Sequence, residues 1–156
     1  MATEPGVGDK APAFSMQRDG GDTISSKDLK GQKVVLYFYP KDDTSGCTKE
    51  AIAFTENKAA FEAEGATIIG VSRDTVAKHE KFIAKHDLGI ALGSDEDGAV
   101  TEAFGVWKEK KMYGKTYMGI ERSTFLIDDK GVIREVWRKV RVPGHVDAVL
   151  EAVKAL

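Results

Sequence analysis

The sequence predicts a single α/β domain with a mixed central sheet covered by helices on both faces, on three observations. Short apolar runs rich in β-branched and aromatic residues, "VVLYFYP" (34–40) and "ATIIGVS" (66–72), have the make-up of buried strands. Stretches with helical apolar spacing follow each of them, as in a β-α-β unit. The chain then ends β-β-α instead of continuing the alternation, and this break makes the expected sheet mixed.

In chain order, "FSMQRDGGDTIS" sets Asp19, Gly20, Gly21 and Asp22 between two short extended pieces, which predicts an N-terminal β-hairpin. The strand at 34–40 comes next, then a polar loop. A helix is expected from about Cys47 to Glu64, with Ala51, Phe54 and Phe61 on one face and Gly65 as its stop. After the second strand, "TVAKHEKFIAKHDLG" reads as a helix with Val76, His79, Phe82, Ile83 and His86 along one stripe. "IALGSD" is a third short strand and "DGAVTEAFG" a short helix. "RSTFLIDDKGVIREVWRKV" gives two strands joined at Asp128 to Gly131. In "GHVDAVLEAVKAL", Val146, Val149, Leu150 and Val153 take the spacing of a closing amphipathic helix. "WKEKKMYGKTYMG" (107–119) is weakly patterned, a ribbon or a mobile loop; its "KEKK" reads as a solvated turn or a docking point for an acidic protein. Among mixed α/β architectures this order favours a thioredoxin-like fold.

The totals narrow the function. A length of 156 residues suits one domain, 1–156, and 42% hydrophobic with 31% charged residues suits a globular one. A net charge of -2 provides no broad field for nucleic acid or an anionic membrane. No apolar run approaches the roughly 18 residues of a membrane span. The start, "MATEPGVGDK", lacks the basic and apolar regions of a secretory leader. With one cysteine and no internal disulfide to form, the expected compartment is the cytoplasm.

That cysteine, Cys47, lies where a strand and polar loop meet a helix, so free backbone N–H groups and the helix dipole would favour a thiolate. Without its neighbours it reads first as an inert buried thiol. Gly46, Thr44 and Pro40 suit a presented sulfur better: a close-turning backbone, a hydroxyl three residues back and a fixed loop entry. A low pKa alone achieves little. Moving a thiol from about 8.5 to about 6 raises the thiolate fraction roughly thirtyfold at pH 7 but removes roughly thirteenfold in nucleophilicity. Efficient chemistry therefore needs a preorganised cation. The histidines offer no metal site: His79 and His86 lie about 10 Å apart along one helix and read as boundary residues, and His145 as a capping or surface residue.

The spacing Pro40-x-x-x-Thr44-x-x-Cys47 resembles the active-site motif of the peroxiredoxins, and "VGDKAPAF", "YFYPKDDTSGCTKEA", "ERSTFLID" and "RKVRVPGHVDAVL" resemble, in order, stretches of their peroxiredoxin Q or bacterioferritin comigratory type. The resemblance covers nearly the whole chain. It implies a thioredoxin-like fold and reduction of hydrogen peroxide and organic hydroperoxides by a thiol, without metal or organic cofactor. It implies that Cys47 is the peroxidatic cysteine, that Thr44 hydrogen-bonds thiolate and peroxide, that Arg122 steadies thiolate and leaving oxygen, and that Pro40 shields the sulfur. Glu50 matches a polar position that orients the arginine. The bland readings are a capping hydroxyl for Thr44, a structural salt bridge for Arg122 and a favourable first-turn acid for Glu50. Two positions depart from the family: Ile52 stands where many relatives have a resolving cysteine, and Ser45 where proline is usual. An external thiol is then required, from thioredoxin, glutaredoxin, glutathione or a second copy of the chain. Family habit implies a monomer, with a dimer as the alternative. The non-enzymatic reading is a peroxide sensor or redox-switched holdase using Cys47 stoichiometrically.

Overall fold

Residues 4–156 are described by a computed structural model; residues 1–3, the beginning of the stretch read against a secretory leader, lie outside the described residues. Four strands form the middle of the molecule. β3 (Lys33–Phe38), β4 (Ala66–Ser72) and β5 (Ala91–Ser94) run parallel, and β8 (Ser123–Ile127) pairs antiparallel with β3. The hairpin β1 (Ser15–Arg18) and β2 (Thr23–Ser25) extends the sheet beyond β5, and β9 (Ile133–Trp137) extends it beyond β8, giving the order β2-β1-β5-β4-β3-β8-β9. The sheet is therefore mixed, with an N-terminal hairpin, as the sequence pattern implied.

The strict alternation of β3 sorts its side chains between two cores. Val35, Tyr37 and Tyr39 face a cluster built with α1 (Ser45–Glu56), α2 (Lys58–Ala63), α3 (Val76–His86) and α5 (His145–Lys154). Val34, Leu36 and Phe38 face a second cluster that α4 (Ala99–Ala103), Phe104 and the N-terminal hairpin close. Helices thus lie on both faces. The crossovers β3-α1-α2-β4 and β4-α3-β5 set the loops that follow β3 and β4 side by side at the carboxyl end of the parallel strands. Crevices at such strand ends are the usual ligand sites of open α/β sheets.

Two elements differ from the sequence reading. The helix expected over 47–64 starts at Ser45 and is broken at Asn57, whose side-chain amide donates to the Ala53 carbonyl (2.8 Å) and competes with the helical ladder. The 107–119 stretch is a ribbon, β6 (Trp107–Met112) with β7 (Lys115–Ile120), turning at Tyr113 and Gly114 with positive φ at both. Its "KEKK" is strand and not turn.

Candidate active site

Cys47 occupies the third position of α1, after Thr44 as N-cap. The first-turn N–H groups of this helix have no intrahelical partners. The sulfur side chain is buried, 1% exposed. Ala51 and Phe54, one and two turns on, anchor the helix in the core, with the Phe54 ring stacked on Tyr37 at 4.6 Å. Tyr37 reaches this position because Gly70, opposite it on β4, has no side chain: a Cβ there would lie 2.6 Å from the Tyr37 ring.

Arg122 sits between β7 and β8, held by a hydrogen bond from the Val140 N–H to its carbonyl (3.0 Å). Its guanidinium donates from Nη2 to Cys47 Sγ (3.2 Å) and from Nη1 to Glu50 Oε1 (2.7 Å). Gly46 leaves room for this approach, since a Cβ there would lie 3.1 Å from Nη2. Sulfur and carboxylate, three residues apart on one helix face, thus share one planar cation brought from across the sheet.

Burial is the largest influence on Glu50, pushing its carboxyl up to about 7, while the neighbouring Arg122 pulls it back down. Burial also works against the Arg122 charge, but Glu50 and Cys47 outweigh it and hold Arg122 above its ordinary value. Glu50 Oε2 and the Tyr37 hydroxyl are buried without a hydrogen-bond partner among the described residues. Burial first, then Glu50 and Cys47, keep the Tyr37 phenol protonated. A second cation approaches from the ribbon. Lys110 is half-buried, and its pKa is lowered by burial and by Arg122, while Cys47 and Glu121 oppose the shift.

The other expected residues make no hydrogen bond to the sulfur among the described residues. Thr44 is exposed, and its hydroxyl donates to the Lys41 carbonyl (2.8 Å), the turn-forming state. Pro40 is exposed at the loop entry. The structure thus brings together Cys47, Arg122 and Glu50, with Thr44 and Pro40 in the adjoining loop.

Two histidine assignments are corrected. His79 is no boundary residue but fully buried, with Nδ1 2.6 Å from Asp42 Oδ2 and Nε2 2.8 Å from the Gly93 carbonyl. Both ring nitrogens face oxygen acceptors, an arrangement that favours the doubly protonated ring. Burial works against that charge, but Asp42 and the Gly93 carbonyl outweigh it and raise the pKa. The remaining Asp42 oxygen accepts from Tyr39 (2.5 Å), and Asp74 Oδ2 accepts from the Asp42 N–H (2.8 Å) and Ser72 hydroxyl (2.7 Å). Asp42, Asp74 and His79 bring ligating atoms within 4.8 Å of one another. Each of the three is hydrogen-bonded within the protein. His145 is likewise buried: its Nε2 meets the Thr124 hydroxyl at 2.8 Å, and burial, then Arg122, lower its pKa to about 4. In sequence, the sign was present for His79, which shares a stripe with Phe82; for His145 it was the equally apolar run that follows it.

The profile of the AhpC/TSA family matches residues 7–136. A putative peroxiredoxin bcp of Coxiella burnetii is 51% identical over 144 residues, covering 92% of this chain and 95% of its own. Among solved structures, a Xylella fastidiosa PrxQ mutant superposes with a TM-score of 0.93 at 41% identity, covering 99% of this chain and 98% of that one. A Xanthomonas campestris bacterioferritin comigratory protein, studied for its alkyl peroxide reduction, superposes with a TM-score of 0.89 at 44% identity over 99% of this chain and 98% of that one.

Proposed function

Because the chain belongs to the AhpC/TSA family, we propose that it is a thiol-dependent peroxidase, reducing hydrogen peroxide and organic hydroperoxides at Cys47. The observation that carries the assignment to this site is the single guanidinium spanning Cys47 and Glu50. In the first step the Cys47 thiolate attacks the terminal peroxide oxygen. An S–O bond forms as the O–O bond breaks, sulfur is oxidised to a sulfenic acid, and the leaving hydroxide or alkoxide takes a proton from solvent to depart as water or an alcohol. Arg122 supplies charge-assisted hydrogen bonds to sulfur and leaving oxygen, and Glu50 holds it in that pose. Thr44 assists after its hydroxyl turns from Lys41, and Pro40 limits water at the loop entry. None of these steps calls on a metal or organic cofactor.

Cys47 is the one cysteine in the 156 residues, so an external thiol attacks the sulfenic sulfur, releasing water and leaving a mixed disulfide that a second thiol reduces. Thioredoxin, glutaredoxin and glutathione are the candidate reductants, in a cytoplasmic protein of one domain, 1–156, acting as a monomer, with a dimer as the alternative. The test is steady-state peroxide consumption by this chain beside Cys47→Ser, with a thioredoxin system and a glutathione/glutaredoxin system in turn. Turnover with one system and none in the variant establishes the peroxidase and its reductant. A single stoichiometric burst with both would instead assign the chain to peroxide sensing or a redox-switched holdase.

A further inference from the structure

The sulfur that must meet an external thiol is buried, so the turn around it has to open, and where that opening stops is set by what holds the loop. Cys47 is five residues after Asp42. Upstream, the Tyr39 N–H still pairs with Val71 of β4 (3.1 Å), and Asp42 is tied by its backbone to Asp74 and by its carboxylate to Tyr39 and His79. The partners of Asp42 are themselves fixed: His79 by the Gly93 carbonyl of β5, Asp74 by Ser72, and the Asp74 carbonyl by Ser94 (2.6 Å). The next residue is held differently. Asp43 has a left-handed backbone (φ 60), and its exposed carboxylate meets Lys85 (2.7 Å) and His86 (2.9 Å) of α3 at the surface. Solvent-exposed pairs of this kind contribute little. Ties therefore weaken sharply from Asp42 to Asp43; beyond it Cys47 and Glu50 are held by the reactive-site contacts to Arg122, and the core grip independent of them resumes at Ala51 and Phe54.

We propose that His79 is a positioning residue for the peroxidase reaction: with Asp42 it latches the base of the Cys47 loop to α3 and β5, confining the opening to residues 43–50. The inference rests on the peroxidase reading for its kinetic consequence. With the latch intact, the turn returns Cys47 to Arg122 after each opening. Without it, the closed arrangement needed for attack on peroxide is populated less and the open arrangement that admits the external thiol is populated more. The two half-reactions then move in opposite directions, which a general loss of structure would not do.

The test uses the full chain, His79→Gln and Asp42→Asn, with circular dichroism confirming that each is folded. The rate of Cys47 oxidation by hydrogen peroxide and the rate of capture of the preformed sulfenic acid by glutathione are followed separately by quench and mass spectrometry. We expect oxidation to slow by about tenfold or more, since small displacements of reacting groups carry such costs, while capture quickens and the sulfinic yield at high peroxide falls. The double variant should be no slower in oxidation than the worse single one, as for residues acting as a unit. Capture that slows alongside oxidation, or rates that do not change, would overturn the latch. Should the variants not fold, hydrogen exchange on the unaltered protein, reduced and oxidised, decides the matter: the Asp42 amide stays protected while those of 48–50, in the hydrogen-bonded part of the closed helix, exchange, and equal exchange across both overturns the proposal. A chain whose Cys47 is not oxidised by peroxide defeats the peroxidase reading instead, and the exchange boundary of the reduced chain then tests the latch.

Discussion

Two buried charged clusters bracket the segment 42–50, and they are finished differently. At Asp42 both carboxylate oxygens are engaged, and both nitrogens of the His79 ring have acceptors. At Glu50 one oxygen is bonded to Arg122 while the other, like the Tyr37 hydroxyl, has no hydrogen-bond partner among the described residues. A fully satisfied buried network rigidifies its surroundings, whereas an unsatisfied buried group costs folding free energy and persists where chemistry uses it. The first cluster is scaffold and the second is machinery. If so, substitutions in the first should act mainly on stability and loop motion, and those in the second on rate.

The largest effect should come from breaking the scaffold. Asp42→Ala leaves the His79 charge buried without its counter-ion, and removing one member of a buried pair typically costs about 3–5 kcal/mol, measured here by urea unfolding at pH 6. The sign with pH follows from the raised His79 value. The pair's contribution is fully present below the unfolded histidine value of about 6.5 and is lost as pH rises through the folded one, so the gap between this variant and the unaltered protein should narrow in alkaline solution. A constant gap would mean that the ring is neutral in the folded protein. Next is Arg122→Met, which removes the guanidinium and both its bonds. Loss of one preorganised donor commonly costs 100–1,000-fold, so Cys47 oxidation should slow by about that much in stopped-flow measurements. Arg122→Lys should recover little of it, because a point cation cannot span sulfur and carboxylate as a planar fork does.

Glu50→Gln separates the two clusters by pH. A carboxyl whose folded value is about 7 against 4.5 unfolded binds a proton more tightly when folded. Folding stability from this group is therefore highest below 4.5 and is lost as pH rises through about 7, a loss on the order of 3 kcal/mol across that window. Glutamine carries no such titration. The variant should gain on the unaltered protein between pH 5 and pH 8 in unfolding experiments, while its Cys47 oxidation slows by about tenfold for want of the group that orients Arg122. A stability difference independent of pH would show that Glu50 stays ionised throughout.

The scaffold was the less legible of the two clusters. Short apolar runs marked β3 and β4 because a strand buried on both faces leaves a continuous apolar record. The machinery was legible through the loop motif around Cys47 and through "ERSTF", although nothing local shows that Arg122 and Cys47 meet across the sheet. His79 shares its stripe with Phe82, which marks a core-facing position, but a histidine there reads as a boundary residue unless its counter-ion is known, and Asp42 is 37 residues away. The ribbon at 107–120 was ambiguous for a different reason: it packs little of itself into the cores, so Met112, Tyr113, Tyr117 and Met118 stay exposed and no periodic pattern is imposed. The break at Asn57 depends on one side-chain amide competing with the ladder, a choice that helix propensity summed along the stretch does not register.

The smallest predicted effect sharpens the comparison most, because it changes geometry and leaves every charge in place. Gly46 lies between the clusters, and a Cβ there would meet Arg122 Nη2 at 3.1 Å, tighter than ordinary contact but against the end of a flexible side chain. Gly46→Ala should therefore fold with little loss, and replacing a helical glycine works in its favour by roughly 0.5–1 kcal/mol. Arg122 must give way by a few tenths of an ångström, and the hydrogen bond to sulfur weakens before the bond to Glu50 does. Cys47 oxidation should then slow by about threefold to tenfold, with the unfolding midpoint unchanged or raised. A variant equally fast would mean that Arg122 follows the sulfur freely and that its pose is set by Glu50 alone. One that unfolds more easily would mean that the space above Gly46 belongs to the scaffold.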